Sequence, residues 1–180
     1  HGLMVKGAFF YEPSVKVPLL VKLPGGKPNQ TIDSPVQLQD ITSTLLEIAG
    51  MNTNDITKIM PDSKNLLPAI KQDSKVNRKY AVCCYRNTGI NKDKKYWNPE
   101  INATMLRTPE YKLNLFHSET KNSKFGQLFD MKNDPNEIND LWDNKDFQKE
   151  KELLIAELTK WLVEQEVSNL ASRGGESIPE

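Results

Sequence analysis

The chain has 180 residues, with Lys plus Arg and Asp plus Glu balanced at 24 each, a formal net charge of zero, 37% hydrophobic and 27% charged residues. Those values fit a folded globular chain that can bury one core or two small lobes. The balanced charge removes the electrostatic case for nucleic acid or an anionic membrane surface as partner. The longest apolar runs, such as Val17–Leu20 and Leu153–Ala156, fall far short of the roughly 20 residues that a membrane-spanning helix needs. A chain opening on His1, with no basic and then apolar leader, reads as a fragment or a processed product.

In chain order, His1–Pro13 reads as a loop around the aromatic run Phe9-Phe10-Tyr11. Val17–Leu23 reads as a buried strand closed by the turn Pro24-Gly25-Gly26. Pro35–Gly50 predicts a helix, with Leu38, Ile41, Leu45, Ile48 and Ala49 as its inward face. Asp40 or Thr42 would cap its start, and Gly50 suits a left-handed stop. Asn52–Lys64 is polar and loop-like, Leu66–Ile70 a short apolar turn or helix, and Asp73–Arg78 a boundary between two lobes. Residues 1–75 and 76–180 are the expected units.

The second unit reads as strands followed by a helix. Tyr80–Arg86 is a strand candidate, and Asn87–Pro99 an exposed loop. Asn102–Arg107 and Tyr111–Phe116 are strands joined by a Thr108-Pro109-Glu110 hairpin, and Gln127–Met131 is a fourth. Asn133-Asp134-Pro135-Asn136 is a turn by composition. Asp146–Glu166 is an amphipathic helix facing inward through Leu153, Leu154, Leu158, Trp161, Leu162 and Gln165. The tail after Leu170 carries no pattern. This order implies an antiparallel sheet with a helix on one face, an α+β arrangement. The adjacent pair Cys83-Cys84 offers neither a disulfide framework nor metal-ligand spacing, and reads as two small residues on a strand.

Three runs carry a family resemblance. His1-Gly2-Leu3-Met4-Val5-Lys6-Gly7 continues through Tyr11-Glu12, Ser14 and Lys16-Val17-Pro18-Leu19. Pro35-Val36 leads to Asp40-Ile41, Thr44-Leu45-Leu46 and Ala49-Gly50. Arg107-Thr108, then Tyr111-Lys112-Leu113, precede Leu128-Phe129-Asp130-Met131, Asp134-Pro135 and Glu137. In this order they resemble the type I sulfatases of the alkaline phosphatase superfamily. Lys16, Ser43 and Gln127 depart from that pattern, where Arg, Pro and Glu are usual.

The resemblance implies the end of a large α/β catalytic domain followed by a C-terminal subdomain of about four antiparallel strands covered by a long helix. It implies sulfate-ester hydrolysis, with a sulfated carbohydrate among the expected substrates, by a formylglycine nucleophile beside a divalent cation, usually calcium. The nucleophile motif, Cys or Ser followed by x-Pro-x-Arg, does not occur in this chain. The spacing of His1 five residues before Lys6 matches the family's second His-Gly pair, so the metal ligands are expected upstream. The isolated chain is therefore expected to be inactive and to bind no cation by itself. Its expected partner is the N-terminal catalytic part. The family tends to periplasmic, secreted or lysosomal locations, and the sequence does not choose among them.

Lys6 is the residue expected to contact the substrate sulfate, since an ammonium point charge suits a sulfate oxygen. His1 is expected to line the same pocket. Glu12 and Lys16 read as a structural ion pair, and Asp130, Asp134 and Glu137 as a turn with a helix cap rather than a cation site. His117 reads as a strand-edge residue, and Ser118-Glu119-Thr120-Lys121 as a chance Ser-x-x-Lys match. Asn29 and Asn102 head glycosylation sequons, meaningful in a secreted eukaryotic protein. Two other functions fit parts of the pattern. One is a phosphonate monoester hydrolase or phosphoglycerol transferase relative. The other is a sulfated-glycan binding module using Lys94, Lys95, Tyr96 and Trp97, whose bland alternative is a solvated loop.

Overall fold

The computed structural model describes His1 and residues 9–72, 75–86, 102–117 and 125–172, with the side chains of 72 and 168–172 set aside. Among them the chain runs through α1 (Glu12–Val15), α2 (Leu38–Ile48), α3 (Thr53–Ile59) and α4 (Leu67–Gln72). The strands β1 (Ala81–Arg86), β2 (Asn102–Arg107), β3 (Tyr111–Phe116) and β4 (Gly126–Asp130) follow. A 3-10 turn at Lys145–Phe147 then leads into α5 (Gln148–Ser172).

The sheet is an antiparallel meander in the order β1-β2-β3-β4. Pairing of Val82 with Leu106, Leu106 with Leu113 and Leu113 with Leu128 puts four apolar side chains in one row on one face. Leu154 and Leu158 of α5 close over that row, with Trp161 and Leu162 beside them, so the expected strand–helix layer is present. Two residues assigned to the inward face of α5 lie elsewhere: Leu153 is exposed, and Gln165 donates to Asp62 Oδ2 at 2.8 Å. On the opposite face of the sheet, Phe10 packs against Ala103 and Met105.

The first unit departs from expectation in three places. Val17–Leu23 forms no strand and pairs with none among the described residues, and Val17, Leu19, Leu20 and Val21 are all exposed. The polar stretch 52–64 contains α3, started by Asn52, whose Oδ1 accepts from Asn54 N at 2.8 Å, and held by buried Ile56. Helix α2 is turned over. Its buried residues are Asp40, Ser43 and Thr44, while Leu38, Leu45 and Ile48 face outward. Gln37 caps that helix, and Asp40 sits three residues on, where its Oδ2 accepts from Gln37 N at 2.7 Å. Gly50 takes the left-handed stop with φ of 91°.

Candidate functional site: a buried ion cluster joining the motif runs

The first and third resemblance runs meet at Lys112. This lysine lies on β3 on the sheet face away from α5, and its side chain is fully buried. A buried ammonium is costly unless each of its donors finds an acceptor. Lys112 Nζ finds three: Glu12 Oε1 at 2.7 Å, Glu137 Oε1 at 2.7 Å and Phe10 O at 2.9 Å. The second oxygen of Glu137 accepts from Glu12 N at 2.6 Å. Arg107 Nε lies 3.4 Å from Glu12 Oε1, so two cations face two carboxylates. Burial alone would raise the Glu12 carboxyl, but the hydrogen bond and charge of Lys112, followed by those of Arg107, hold it below its usual value.

Local backbone geometry delivers Glu137 to this point. Asp134 N donates to Asp130 O at 2.7 Å, Glu137 N donates to Asp134 O at 3.1 Å, and Glu137 takes a positive φ of 57°. That left-handed conformation is uncommon away from glycine, and it aims the Glu137 side chain under the sheet instead of into solvent. Asp130 and Asp134 do not join it. Asp130 accepts from the backbone and side chain of Asn133 and from Lys132 N, which keeps its carboxyl below the usual range, and Asp134 Oδ2 accepts from Asn139 N. The three carboxylates are therefore divided between a turn and an ion cluster. The Glu12–Lys16 pair is replaced as well: Glu12 reaches Lys112 and Arg107, while Lys16 offers it a backbone contact, Lys16 N to Glu12 O at 2.8 Å.

Residues on both sides of the 2–8 segment pack on Tyr11. The His1 ring stacks on it at 3.6 Å between centroids, and the Phe9 ring at 6.4 Å. His1 Nε2 also lies 3.0 Å from Asn136 O, and Tyr11 tilts against Phe129 of β4. Lys6 itself, the Ser118–Lys121 run and the Lys92–Trp97 loop lie outside the described residues.

A second buried node ties α2 to the start of the sheet. Asp40 is fully buried and pairs with Arg78, while its Oδ1 also accepts from Lys64 N at 2.7 Å. Arg78 Nη1 donates to Gln37 Oε1 at 2.7 Å, and Gln37 Nε2 donates to Val82 O at 3.0 Å. A third cluster sits where β1 and β3 end and β2 begins. Arg86 Nη2 donates to Thr104 Oγ1 at 3.0 Å, and Thr104 Oγ1 lies 2.9 Å from His117 Nε2. Burial and the Arg86 charge push the His117 imidazole below its usual value. His117 is thus a partner within the lobe as well as a residue just beyond the strand. Cys83 and Cys84 are both free thiols, and burial pushes Cys83 up.

Among the described residues, no group of three or more His, Cys, Asp or Glu side chains is placed to hold a metal ion. The carboxylates that come closest to such a group are committed to backbone amides or to Lys112. This donor set does not fit a divalent cation, and no chemical step through one is assigned to these residues. Among the same residues, no helix is long and apolar enough to cross a membrane.

The chain is a meander covered by one long helix and tied by buried ion pairs to the segments before it, and its match to a family model over most of its length makes it the C-terminal region of a sulfatase. The model of the family described as N-sulphoglucosamine sulphohydrolase, C-terminal, matches residues 1–166, and the chain belongs to that family. Human N-acetylglucosamine-6-sulfatase is 40% identical over 82 residues, which cover 45% of this chain and 14% of the relative. The ulvan-active sulfatase of Formosa agariphila is 28% identical over 186 aligned positions, covering 92% of this chain and 36% of the relative. The fold is shared with the solved structure of BT1596, a 2-O GAG sulfatase, with a TM-score of 0.56 at 20% identity over 87% of this chain and 31% of that one. The chain thus spans about a third or less of the length of these relatives.

The sequence named Glu12 and Glu137 but not the residues that join them. Lys112 and Arg107 stand in a resemblance run with no chemistry assigned, and Arg78 stands outside all three runs. A charged residue flanked by apolar strand neighbours, as in Tyr111-Lys112-Leu113, is the signal that could have exposed the cluster.

Proposed function

We propose that this chain is the C-terminal part of an enzyme that hydrolyses sulfate esters of carbohydrates, and that Lys6 supplies the cation that holds the substrate sulfate. The observation that carries this reading is the convergence of Glu12, Lys112 and Glu137, one from each of three separated segments, on a single buried cluster. That cluster fixes the segment running on from Lys6 against the C-terminal lobe. Residues 1–75 then belong to the larger catalytic domain, and 76–180 form the subdomain that supports it. His1, stacked on Tyr11, lines the pocket wall.

In this reading the chain's own task is electrostatic. Negative charge grows on oxygen as the sulfate ester breaks, and a fixed ammonium stabilises it. The nucleophile, a formylglycine, and the ligands of a divalent cation, calcium by family habit, belong to polypeptide outside these residues. The isolated chain is then inactive. A carbohydrate substrate is supported by the names of relatives that act on N-acetylglucosamine 6-sulfate and on a glycosaminoglycan 2-O-sulfate.

Release of inorganic sulfate from glucosamine 6-sulfate or an aryl sulfate tests the proposal. A polypeptide of full sulfatase length ending in this chain should release sulfate, and the 180-residue chain should not. Release of the alcohol and free phosphonate from a phosphonate monoester, with no sulfate release, would overturn it in favour of the phosphoryl-transfer relatives.

A further inference from the structure

Resting on the sulfatase reading, we infer that Arg86 and His117, joined through Thr104, form a second oxyanion site, which takes a carboxylate or further sulfate of the carbohydrate away from the ester being cut. Three observations carry this. The first is an arginine held in place without a counter-ion. Arg86 is exposed, yet its guanidinium is pinned. Nη1 donates to Tyr85 O at 3.1 Å and to Ala103 O at 2.6 Å, and Nη2 donates to Thr104 Oγ1 at 3.0 Å. A guanidinium has five N–H groups. These bonds leave Nε–H and the second hydrogen of Nη2, two donors on one edge of the fork that match two oxygens of a carboxylate or sulfate. Among the described residues no carboxylate lies within ion-pair distance of Arg86. A side chain already immobilised loses little freedom when it binds.

The second observation is the tautomer imposed on His117. Thr104 is fully buried, and its hydroxyl offers two acceptor positions and one hydrogen. Arg86 Nη2 takes one acceptor position, and Cys84 Sγ, 4.0 Å away, takes the other. The hydrogen is left for His117 Nε2 at 2.9 Å. The neutral imidazole then carries its proton on Nδ1, and the exposed His117 ring presents it as a third donor. The third observation is placement. Phe10 packs on Ala103, with Tyr85 and Phe116 beside it, at the end of the sheet where Arg86, Thr104 and His117 stand on the other face. Phe10 follows Lys6 by four residues, so at most about 14 Å of extended chain separates the two. An oligosaccharide with its sulfate ester at Lys6 has this end of the sheet within reach.

Nuclear magnetic resonance of the side-chain nitrogens of the 180-residue chain tests the site. Glucuronate and N-acetylglucosamine 6-sulfate are titrated separately, with N-acetylglucosamine as the uncharged control. The free chain should show His117 as the Nδ1–H tautomer. The Arg86 Nε and His117 Nδ1 signals should move with an acidic sugar and stay still with the neutral one. A response to glucuronate alone assigns a uronic acid carboxylate, and a response to the sulfated sugar alone assigns a further sulfate. Binding should also raise the titration midpoint of His117, because a nearby anion favours the charged ring. Arg86→Gln should weaken binding by about 10-fold or more, and Arg86→Lys, which keeps the charge but not the fork, should recover only part of it. The parent chain is read without any variant, so misfolding of Arg86→Gln leaves the test intact. Still signals with both acidic sugars, an equal response to the neutral sugar, an Nε2–H tautomer, or undiminished binding by Arg86→Gln would each overturn the inference. Sulfate release is read separately, on the polypeptide of full sulfatase length. Binding at Arg86 without sulfate release leaves the site standing and sinks the enzymatic reading; sulfate release with no response at Arg86 and His117 does the reverse.

Discussion

Lys112 Nζ lies 2.7 Å from Glu12 Oε1, and through that contact the third strand of the C-terminal sheet holds the first helical turn of the chain. Both groups sit in a low-dielectric setting, where removing one partner strands the charge of the other. Lys112→Met should therefore destabilise the chain by about 3–5 kcal/mol. Restoring neutrality by adding either Glu137→Gln or Glu12→Gln, which leaves Arg107 with one remaining carboxylate, should recover part of that loss. Urea unfolding of the single and combined variants measures both. Additive losses, with no recovery, would show that the three side chains do not act as one cluster.

The same cluster sets an acid limit. The Glu12 carboxyl is held below its reference value of 4.5. A carboxyl lowered in the folded state contributes stability that is complete above the unfolded value and is lost as pH falls through the folded one. Stability should thus decline below about pH 4.5, and Glu12→Gln should flatten the Glu12 contribution to that decline. Denaturant midpoints taken from pH 6 downward, for both proteins, provide the check.

His117 works in the same direction at higher pH. Its imidazole is pushed below the reference value of 6.5 by burial and by Arg86. The unfolded chain then binds more protons than the folded one, so stability rises with pH through this window. It is complete above the unfolded value and is lost as pH falls through the folded one. His117→Gln should remove this slope, and a slope unchanged in that variant would contradict the assignment.

Gly126 admits no side chain. A Cβ there would run into the Trp142 ring and would lie 2.6 Å from Asn114 O. Gly126→Ala should cost about 1–3 kcal/mol through displacement of Trp142, visible as a fall in melting temperature together with a change in tryptophan emission.

Local patterns exposed the C-terminal lobe to sequence reading because its contacts are local. β3 alternates apolar Tyr111, Leu113 and Leu115 with polar Lys112 and Asn114 and follows β2 after a three-residue connection, and α5 offers Leu154, Leu158 and Leu162 to one side. The first unit was harder to read. The apolar stripe of α2 was assigned inward, although Asp40 finds its partner in Arg78, 38 positions along the chain. Val17–Leu23 was assigned to a buried strand, but the structure leaves it uncovered. Glu12 was matched with nearby Lys16, whereas its ion-pair partners stand on β2 and β3. Long-range charge pairs leave no periodic trace, and the α2 and Glu12 readings each turned on a partner far away in the sequence. Of the candidate site, Lys6 and His1 came from the motif resemblance; the Glu12–Lys112–Glu137 cluster came from the fold.

The central claim is that this chain carries the sulfate-binding lysine of a sulfate-ester hydrolase. It is tested most directly by kcat for sulfate release in the polypeptide of full sulfatase length bearing Lys6→Ala. Loss of one fixed cation at the developing charge should lower kcat by about 100-fold or more, while the urea midpoint stays within experimental error of the parent. A kcat close to that of the parent would contradict the claim.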